Sequence, residues 1–212
     1  GVQTCALPIC ALTASQIKAI TTDGLVALGS DQIAAISSAG ITGLTTDQVV
    51  ALTTTQMDKL TTGQMAALTS AQVGALETRD LNKLTSDQVG AITTASLRGL
   101  TTMQVAALGT AQLSSLTTGQ LVSMTTTSVA ALGTAQINKL NTDQLGALTA
   151  SQVKAIVTDD IAVLTSDQIA SISTASVAAL TTDQVVALTT AQMDKLTTGQ
   201  IAALTKIGRA HV

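Results

Sequence analysis

A large apolar residue recurs at every eighth position of this chain, from Leu12 to Leu204, without an insertion or a deletion. The octad is clearest in the stretch Leu-Thr-Thr-Asp-Gln-Val-Val-Ala, and we number its positions 1 to 8 from Leu44 to Ala51. A second large apolar residue occupies position 6, as Val49 does. Hydroxyl residues are common at positions 2 and 3, and Gln is common at position 5. Such a strict short repeat predicts a linear array in which each unit packs on its neighbours.

Each octad contains the signals of a helix start. Thr45 followed three residues later by Gln48 matches a capping box, and Leu44 and Val49 match the two positions of a hydrophobic staple. The next such start follows after only about two turns of helix. The pattern therefore predicts an all-α solenoid of very short capped helices, one per octad.

Two other folds compete with this prediction. In one continuous helix, eight residues overshoot two full turns by about 80°, so the apolar stripe would spiral around the helix and bury little. A β-solenoid with two or three octads per coil is the alternative that we retain, because the many Thr, Val and Ile residues favour strands.

Both ends of the chain depart from the octad. The terminal stretches resemble translations of one sequencing-library adapter read in opposite senses. We therefore interpret residues 1–10 and 206–212 as non-native ends and residues 11–205 as the octapeptide-repeat solenoid. The only proline, Pro8, and the only histidine, His211, lie in these ends. The array itself then has neither residue type.

The composition argues against several functions. The net charge is −3, and two of the basic residues, Lys206 and Arg209, lie in a suspect end, so nucleic acid and anionic lipid are not expected as partners. Hydroxyl residues and Gln interrupt every octad, so no apolar run is long enough for membrane insertion. Without His or aromatic residues in the array, an enzyme is not expected.

No candidate site has the residues that its chemistry would need. Asp159 and Asp160 are the one pair of adjacent carboxylates, but no His, Tyr or Cys lies near them in sequence. The recurrent Asp at position 4 is explained by the positive end of the helix dipole. We predict no catalytic, cofactor-binding or metal site. Glu77–Asp80 and Arg98–Met103 form the only faint cluster of unusual residues that are expected to be exposed.

Two recurrent features of the octad are expected to be structural. The Gln residues at position 5 would serve as capping partners, or stack as a hydrogen-bonding ladder along the solenoid. Gly29, Gly109 and Gly133 replace Thr at position 2, directly after a predicted helix. We expect the left-handed backbone conformation that commonly ends a helix at these glycines.

Two resemblances follow from these residues. The octad as a whole is similar to low-complexity LTTxQ[VI]xxL arrays of large bacterial surface and secreted proteins, which implies an extracellular or cell-surface location. Leu44–Leu52 also resembles the opening helix of the repeats in transcription-activator-like effectors. The chain has no second helix per repeat and no base-reading loop, so DNA binding does not follow from that likeness.

The function predicted from the sequence is a non-catalytic structural repeat array that acts as a spacer or stalk in a longer bacterial surface protein. Its principal partners would be the neighbouring repeats of a longer chain. The alternative is a protein- or glycan-binding scaffold on one face of the solenoid. Ice binding through arrays of Thr is a third possibility, and it would require the β-solenoid.

Overall fold

A computed structural model describes residues 9–209 of the chain, and this part contains short helices and no strand. The all-α solenoid predicted from the octad is therefore confirmed, and the β-solenoid alternative is wrong. Residues 1–8 and 210–212 lie outside the described part. They make up most of the two ends that we interpret as non-native, and that interpretation stays a prediction. None of the described helices has the length and apolar character that a membrane crossing requires.

The chain divides into two compact units, Gly1–Leu108 and Gly109–Val212. After a 3₁₀ turn at Ile9–Ala11, the first unit contains α1 (Ala14–Lys18), α2 (Thr22–Val26), α3 (Ser30–Ala34), α4 (Ser38–Ile41), α5 (Thr46–Ala51), α6 (Thr54–Asp58), α7 (Thr62–Ala67), α8 (Ser70–Gly74), α9 (Thr78–Leu81), α10 (Ser86–Ala91), α11 (Thr94–Leu97) and α12 (Thr102–Ala107).

The second unit is built in the same way. It contains α13 (Thr110–Ser114), α14 (Thr118–Ser123), α15 (Thr126–Ala130), α16 (Thr134–Asn138), α17 (Thr142–Ala147), α18 (Ala150–Ala155), α19 (Thr158–Val163), α20 (Ser166–Ser171), α21 (Thr174–Val177), α22 (Thr182–Val186), α23 (Thr190–Asp194) and α24 (Thr198–Arg209).

Every helix begins at position 3 of its octad, directly after an extended residue at position 2. Thr45, for example, has φ −74° and ψ 162° and caps the N-terminus of α5. The glycines at this position adopt the same conformation, with φ −64° at Gly29, −66° at Gly109 and −84° at Gly133. The expectation of a left-handed backbone there is wrong. The chain enters the next helix at once, so the glycine acts as an extended N-cap and no left-handed residue is needed.

The helices stack with a period of three. In the first unit α1 packs against α4, α2 against α5 and α3 against α6, and in the second unit α14 packs against α17 and α17 against α20. Three octads therefore form one coil of the solenoid, and equivalent helices such as α2 and α5 begin 24 residues apart, at Thr22 and Thr46. Within each unit, a helix packs on the helix three places earlier in the chain and not on its neighbour in sequence.

The two apolar series of the octad form the core of each unit. The position-6 residues from Ile17 to Val177 are at most 2% exposed, and the position-1 residues from Ile36 to Leu180 are at most 6% exposed. Position 6 lies inside the helix and position 1 at the turn that follows it, so both side chains point inward although they belong to different local structures. This arrangement buries two large side chains per octad, which is what stabilises adjacent coils.

Some coils approach so closely that only glycine fits between them. A Cβ atom at Gly99 would overlap the carbonyl oxygen of Ser70 on the preceding coil, and one at Gly43 would overlap that of Ala14. Both glycines occupy position 8, and both neighbours occupy position 3 of the octad that begins α8 or α1. At these two places, backbone-to-backbone contact between coils depends on glycine at position 8.

Candidate functional site

The helix caps use the side chains of positions 2 and 5 together. In α5 the Thr45 hydroxyl oxygen accepts a hydrogen bond from the Gln48 backbone N–H at 3.1 Å, and Gln48 Oε1 accepts one from the Thr45 N–H at 2.8 Å. These are the two reciprocal bonds of a capping box, and they satisfy N–H groups that have no partner within a helix. The oxygen of the Gln side chain is thereby used.

The nitrogen of the same side chain connects successive coils. Gln48 Nε2 donates to the carbonyl oxygens of Ile20 at 2.6 Å and Ile17 at 3.0 Å, at the C-terminal end of α1. Carbonyls at a helix end have no partner within the helix. One buried Gln therefore completes the N-terminus of its own helix and the C-terminus of a helix on the preceding coil. We call this contact the glutamine bridge.

The glutamine bridge recurs throughout both units with a constant sequence separation. The amide nitrogen lies 2.6–2.9 Å from the position-1 carbonyl oxygen 28 residues earlier at Gln48, Gln56, Gln64, Gln72, Gln88, Gln104, Gln144, Gln152, Gln168, Gln184, Gln192 and Gln200. The capping role predicted for these residues is observed, and the alternative of a ladder is wrong, because the amide nitrogens bond to main-chain carbonyls and not to one another.

Serine can replace Gln and keep part of the bridge. Ser96 Oγ donates to the Leu68 carbonyl at 2.5 Å, and Ser176 Oγ donates to that of Leu148 at 3.0 Å. Both acceptors again lie 28 residues earlier. Sequence reasoning missed this second role of position 5. The sequence contained a signal for this role. Glu caps a helix as well as Gln does, yet Glu never occupies position 5, which indicates that the amide nitrogen is also used.

Two octads have an Asp at position 5. A carboxylate has no hydrogen to donate, so these octads cannot form the glutamine bridge. Asp80 and Asp160 are 1% and 2% exposed. Asp80 Oδ1 accepts a hydrogen bond from Thr54 Oγ1 at 2.5 Å, whereas Asp160 Oδ1 is buried and has no hydrogen-bond partner among residues 9–209. Both octads also lack a side-chain cap, because position 2 is Glu77 or Val157.

The octad of Asp80 borders the most unusual surface of the first unit. A groove of about 410 Å³ is lined by Gly74, Leu76, Glu77, Thr78, Arg79, Thr101, Met103 and Gln104. Arg79 Nε lies 2.6 Å from Glu77 Oε2 and 3.6 Å from Asp80 Oδ2. Two stretches singled out in the sequence, Glu77–Asp80 and Arg98–Met103, thus meet through Met103. Arg98 does not line the groove.

The structure separates the adjacent carboxylates of Asp159 and Asp160. Asp159 is exposed at position 4, and Asp160 is buried at position 5. Their side chains therefore lie in different environments. Within residues 9–209, no group of three or more His, Cys, Asp or Glu side chains could hold a metal ion.

The repeat itself identifies relatives of the chain. A family model described as the ALTTAQ repeat matches eight overlapping segments, at residues 9–38, 33–62, 57–94, 81–118, 89–126, 115–150, 126–158 and 153–190. None of the curated proteins matches. The matched segments run without a gap from residue 9 to residue 190, which is most of the chain. The chain therefore belongs to the ALTTAQ repeat family.

Proposed function

We propose that this chain is a structural, non-catalytic array that acts as a spacer or stalk within a longer bacterial protein at the cell surface. The glutamine bridge carries the proposal. It links coils through main-chain carbonyls, which every octad has, so a coil can be added or removed without designing a new contact. A spacer needs a length that changes in steps while the local structure stays constant.

The polar side chains of the octad support this role. Position 2 caps the helix, position 5 caps and bridges, and the remaining Thr, Ser and Asp lie on the surface of each helix start. The Thr hydroxyls at position 2 accept hydrogen bonds from the backbone N–H of position 5 in the same octad. A strand surface displaying Thr in rows is absent from residues 9–209, so ice binding is not proposed further.

The distance between two spin labels in the first unit tests the proposal that the array is a spacer. Spin labels would be placed on Thr22→Cys and Thr94→Cys, which occupy position 3 of α2 and α11 on the same stack of helices, after Cys5→Ser and Cys10→Ser remove the native thiols. A second protein would carry a duplicate of residues 45–68 between the labels. Because packed helices lie about 8–10 Å apart, the mean distance should increase by about that amount.

The width of the distance distribution decides between a spacer and a flexible connector. A narrow distribution that shifts by one coil supports the proposal. An unchanged mean, or a distribution that becomes broad after the insertion, would contradict it, since the added coil would not then hold the flanking coils at a set distance.

A further inference from the structure

The groove beside α9 gathers residues that the rest of the array does not use at its surface. Glu77 is the only glutamate of the chain. Met103 is 74% exposed at position 4, whereas Met57, Met65 and Met124 are buried in the two apolar series. Arg79, at position 4 of its own octad, also lines the groove and is mostly exposed. Three departures from the octad therefore line one groove, although they come from two successive coils.

These departures remove contacts that other octads keep. With Glu77 at position 2, α9 has no side-chain cap, and with Asp80 at position 5 it donates no glutamine bridge. A lost cap alone destabilises a helix measurably. Sites that break several local rules at once are where function is expected in a chain that otherwise follows those rules.

The charges of the groove favour a cationic partner. Glu77 and Arg79 line the groove, and Asp80 is buried outside its lining. The Arg79 Nε lies 2.6 Å from Glu77 Oε2 and 3.6 Å from Asp80 Oδ2, so the three side chains form one charged cluster. The cluster therefore keeps one net negative charge. Glu77 remains partly exposed, with 38% of its side chain accessible. A Lys or Arg of a partner can reach its carboxylate without displacing Arg79.

The apolar part of the groove favours a large side chain next to that cation. Gly74 and Leu76 line the groove together with the exposed thioether of Met103. Methionine sulfur makes favourable contacts with aromatic rings, and a guanidinium such as that of Arg79 is attracted to the face of a ring. The volume of about 410 Å³ lies within the range of small-ligand sites, which suits one or two side chains rather than a protein domain.

We propose that this groove binds a peptide segment in which a Lys or Arg adjoins an aromatic side chain. The aromatic ring lies against Met103 and Gly74, and the cation pairs with Glu77. Two other grooves lack this combination. The one at Lys154 and Ala179–Asp183 has no Met, and the one at Ala14–Lys18 and Thr42–Thr45 has no acidic residue.

The test uses the fluorescence of tryptophan, because the protein has no aromatic residue and the signal comes from the probe alone. The full-length chain would be titrated into acetyl-Trp-Lys-amide, with acetyl-Trp-Asp-amide and acetyl-Trp-amide as comparison probes. The expected result is a blue shift of emission that saturates, with the tightest binding for the Lys probe and the weakest for the Asp probe.

Variants locate the binding. Glu77→Gln should weaken binding of the Lys probe by at most about fivefold, the range of an exposed ion pair, and should leave the neutral probe unaffected. Met103→Ala should weaken both by about tenfold if roughly 50 Å² of apolar surface is buried against it. Val186→Thr, at an exposed valine of α22 that does not line the groove, is the matched control and should bind like the unmodified protein.

A variant that restores the regular octad separates binding from folding. Glu77→Thr with Asp80→Gln and Met103→Ala supplies the cap and the bridge, so it should melt at or above the temperature of the unmodified protein while losing the blue shift. Three results would each overturn the proposal. The first is no shift for the unmodified protein at millimolar concentration. The second is an unchanged shift in the triple variant, and the third is equal binding of the Lys and Asp probes.

Discussion

Gln72 Nε2 lies 2.8 Å from the carbonyl oxygen of Leu44 and 2.8 Å from that of Ile41, although these residues are 28 and 31 positions away in sequence. Its Oε1 lies 2.8 Å from the Thr69 backbone nitrogen, from which it accepts a hydrogen bond. The amide thus uses both of its polar atoms in a buried position. A carboxylate at this position has no hydrogen to donate and can serve only the cap.

Gln72→Glu tests this division of roles. The Glu keeps the capping oxygen, but it loses both donated hydrogen bonds and places a carboxylate against two carbonyl oxygens. Each lost bond contributes about 0.5–1.5 kcal/mol, and burial of a charge adds to that, so we expect the free energy of unfolding to fall by about 3 kcal/mol or more. Urea denaturation followed by circular dichroism measures it.

Gln16→Glu is the matched control for Gln72→Glu. Gln16 makes the same cap with the Thr13 N–H at 2.9 Å, but it is exposed and has no inter-coil bond among the described residues. We expect a change within about 0.5 kcal/mol, as for other surface substitutions. Similar losses in the two variants would show that the cap, and not the glutamine bridge, is what position 5 contributes.

Asp160 offers the opposite substitution. Its Oδ1 is buried without a partner, and the carbonyl of Leu132 lies 28 residues earlier, where a bridge would be accepted. Asp160→Gln should raise the free energy of unfolding by about 1–3 kcal/mol, since an unsatisfied buried acceptor is replaced by a donor. The measurement is a comparison of urea midpoints at constant pH.

Asp80→Gln is the comparison that makes the Asp160 result specific. Asp80 already accepts a hydrogen bond from Thr54 and lies near Arg79, so its replacement removes contacts as well as adding a bridge. We expect a smaller gain than at Asp160. If Asp160→Gln destabilised the protein, the assumption that all position-5 side chains face the same carbonyls would be wrong.

The local structure could be predicted from the sequence because it depends on residues close together in the chain. Thr45 and Gln48 are three positions apart, and their pairing predicts a helix that begins at Thr46, as observed. The solenoid followed from the same reasoning, since helices this short need neighbours to bury Val49 and Leu52.

The number of octads in one coil could not be predicted, because nothing in the sequence marks where a coil closes. All octads look alike, so coils of two, three or four octads would give the same pattern of Leu and Gln. The separation of 28 residues between Gln72 and Leu44 appears only when the coil closes. The groove was foreseen only as two unusual stretches, since a coil of three octads is what places Met103 beside Glu77.

Gly99→Ala tests the close approach of coils. The added Cβ would overlap the Ser70 carbonyl, and backbone atoms cannot move aside as the end of a side chain can. We expect a loss of about 1–3 kcal/mol in the free energy of unfolding. Gly119→Ala is the control, since its Cβ would have no atom nearer than 4.0 Å, and helix propensity should stabilise it by up to about 1 kcal/mol. A neutral Gly99→Ala would mean that the coils separate easily.

Deletions test whether the 24-residue coil keeps the register of the first unit. Removal of residues 45–68 brings Gln72 opposite Ile17 and Ile20, the same kinds of carbonyl that it now contacts, and places Ser30 where Thr54 lies beside Asp80. Each contact is replaced by an equivalent one. We therefore expect this protein to keep its helix content per residue and a cooperative melt.

Removal of residues 45–48 is the contrasting deletion, although it is six times shorter. It joins Leu44 to Val49, so one helix loses its cap and its bridge, and every later position-6 side chain is displaced by half an octad relative to the coils before it. We expect loss of cooperative melting in the first unit, measured by circular dichroism and by proteolysis. If the protein tolerated both deletions equally, its coils would pack without a defined register. The reason is that the longer deletion restores a separation of 28 residues between bridged positions, whereas the shorter one does not.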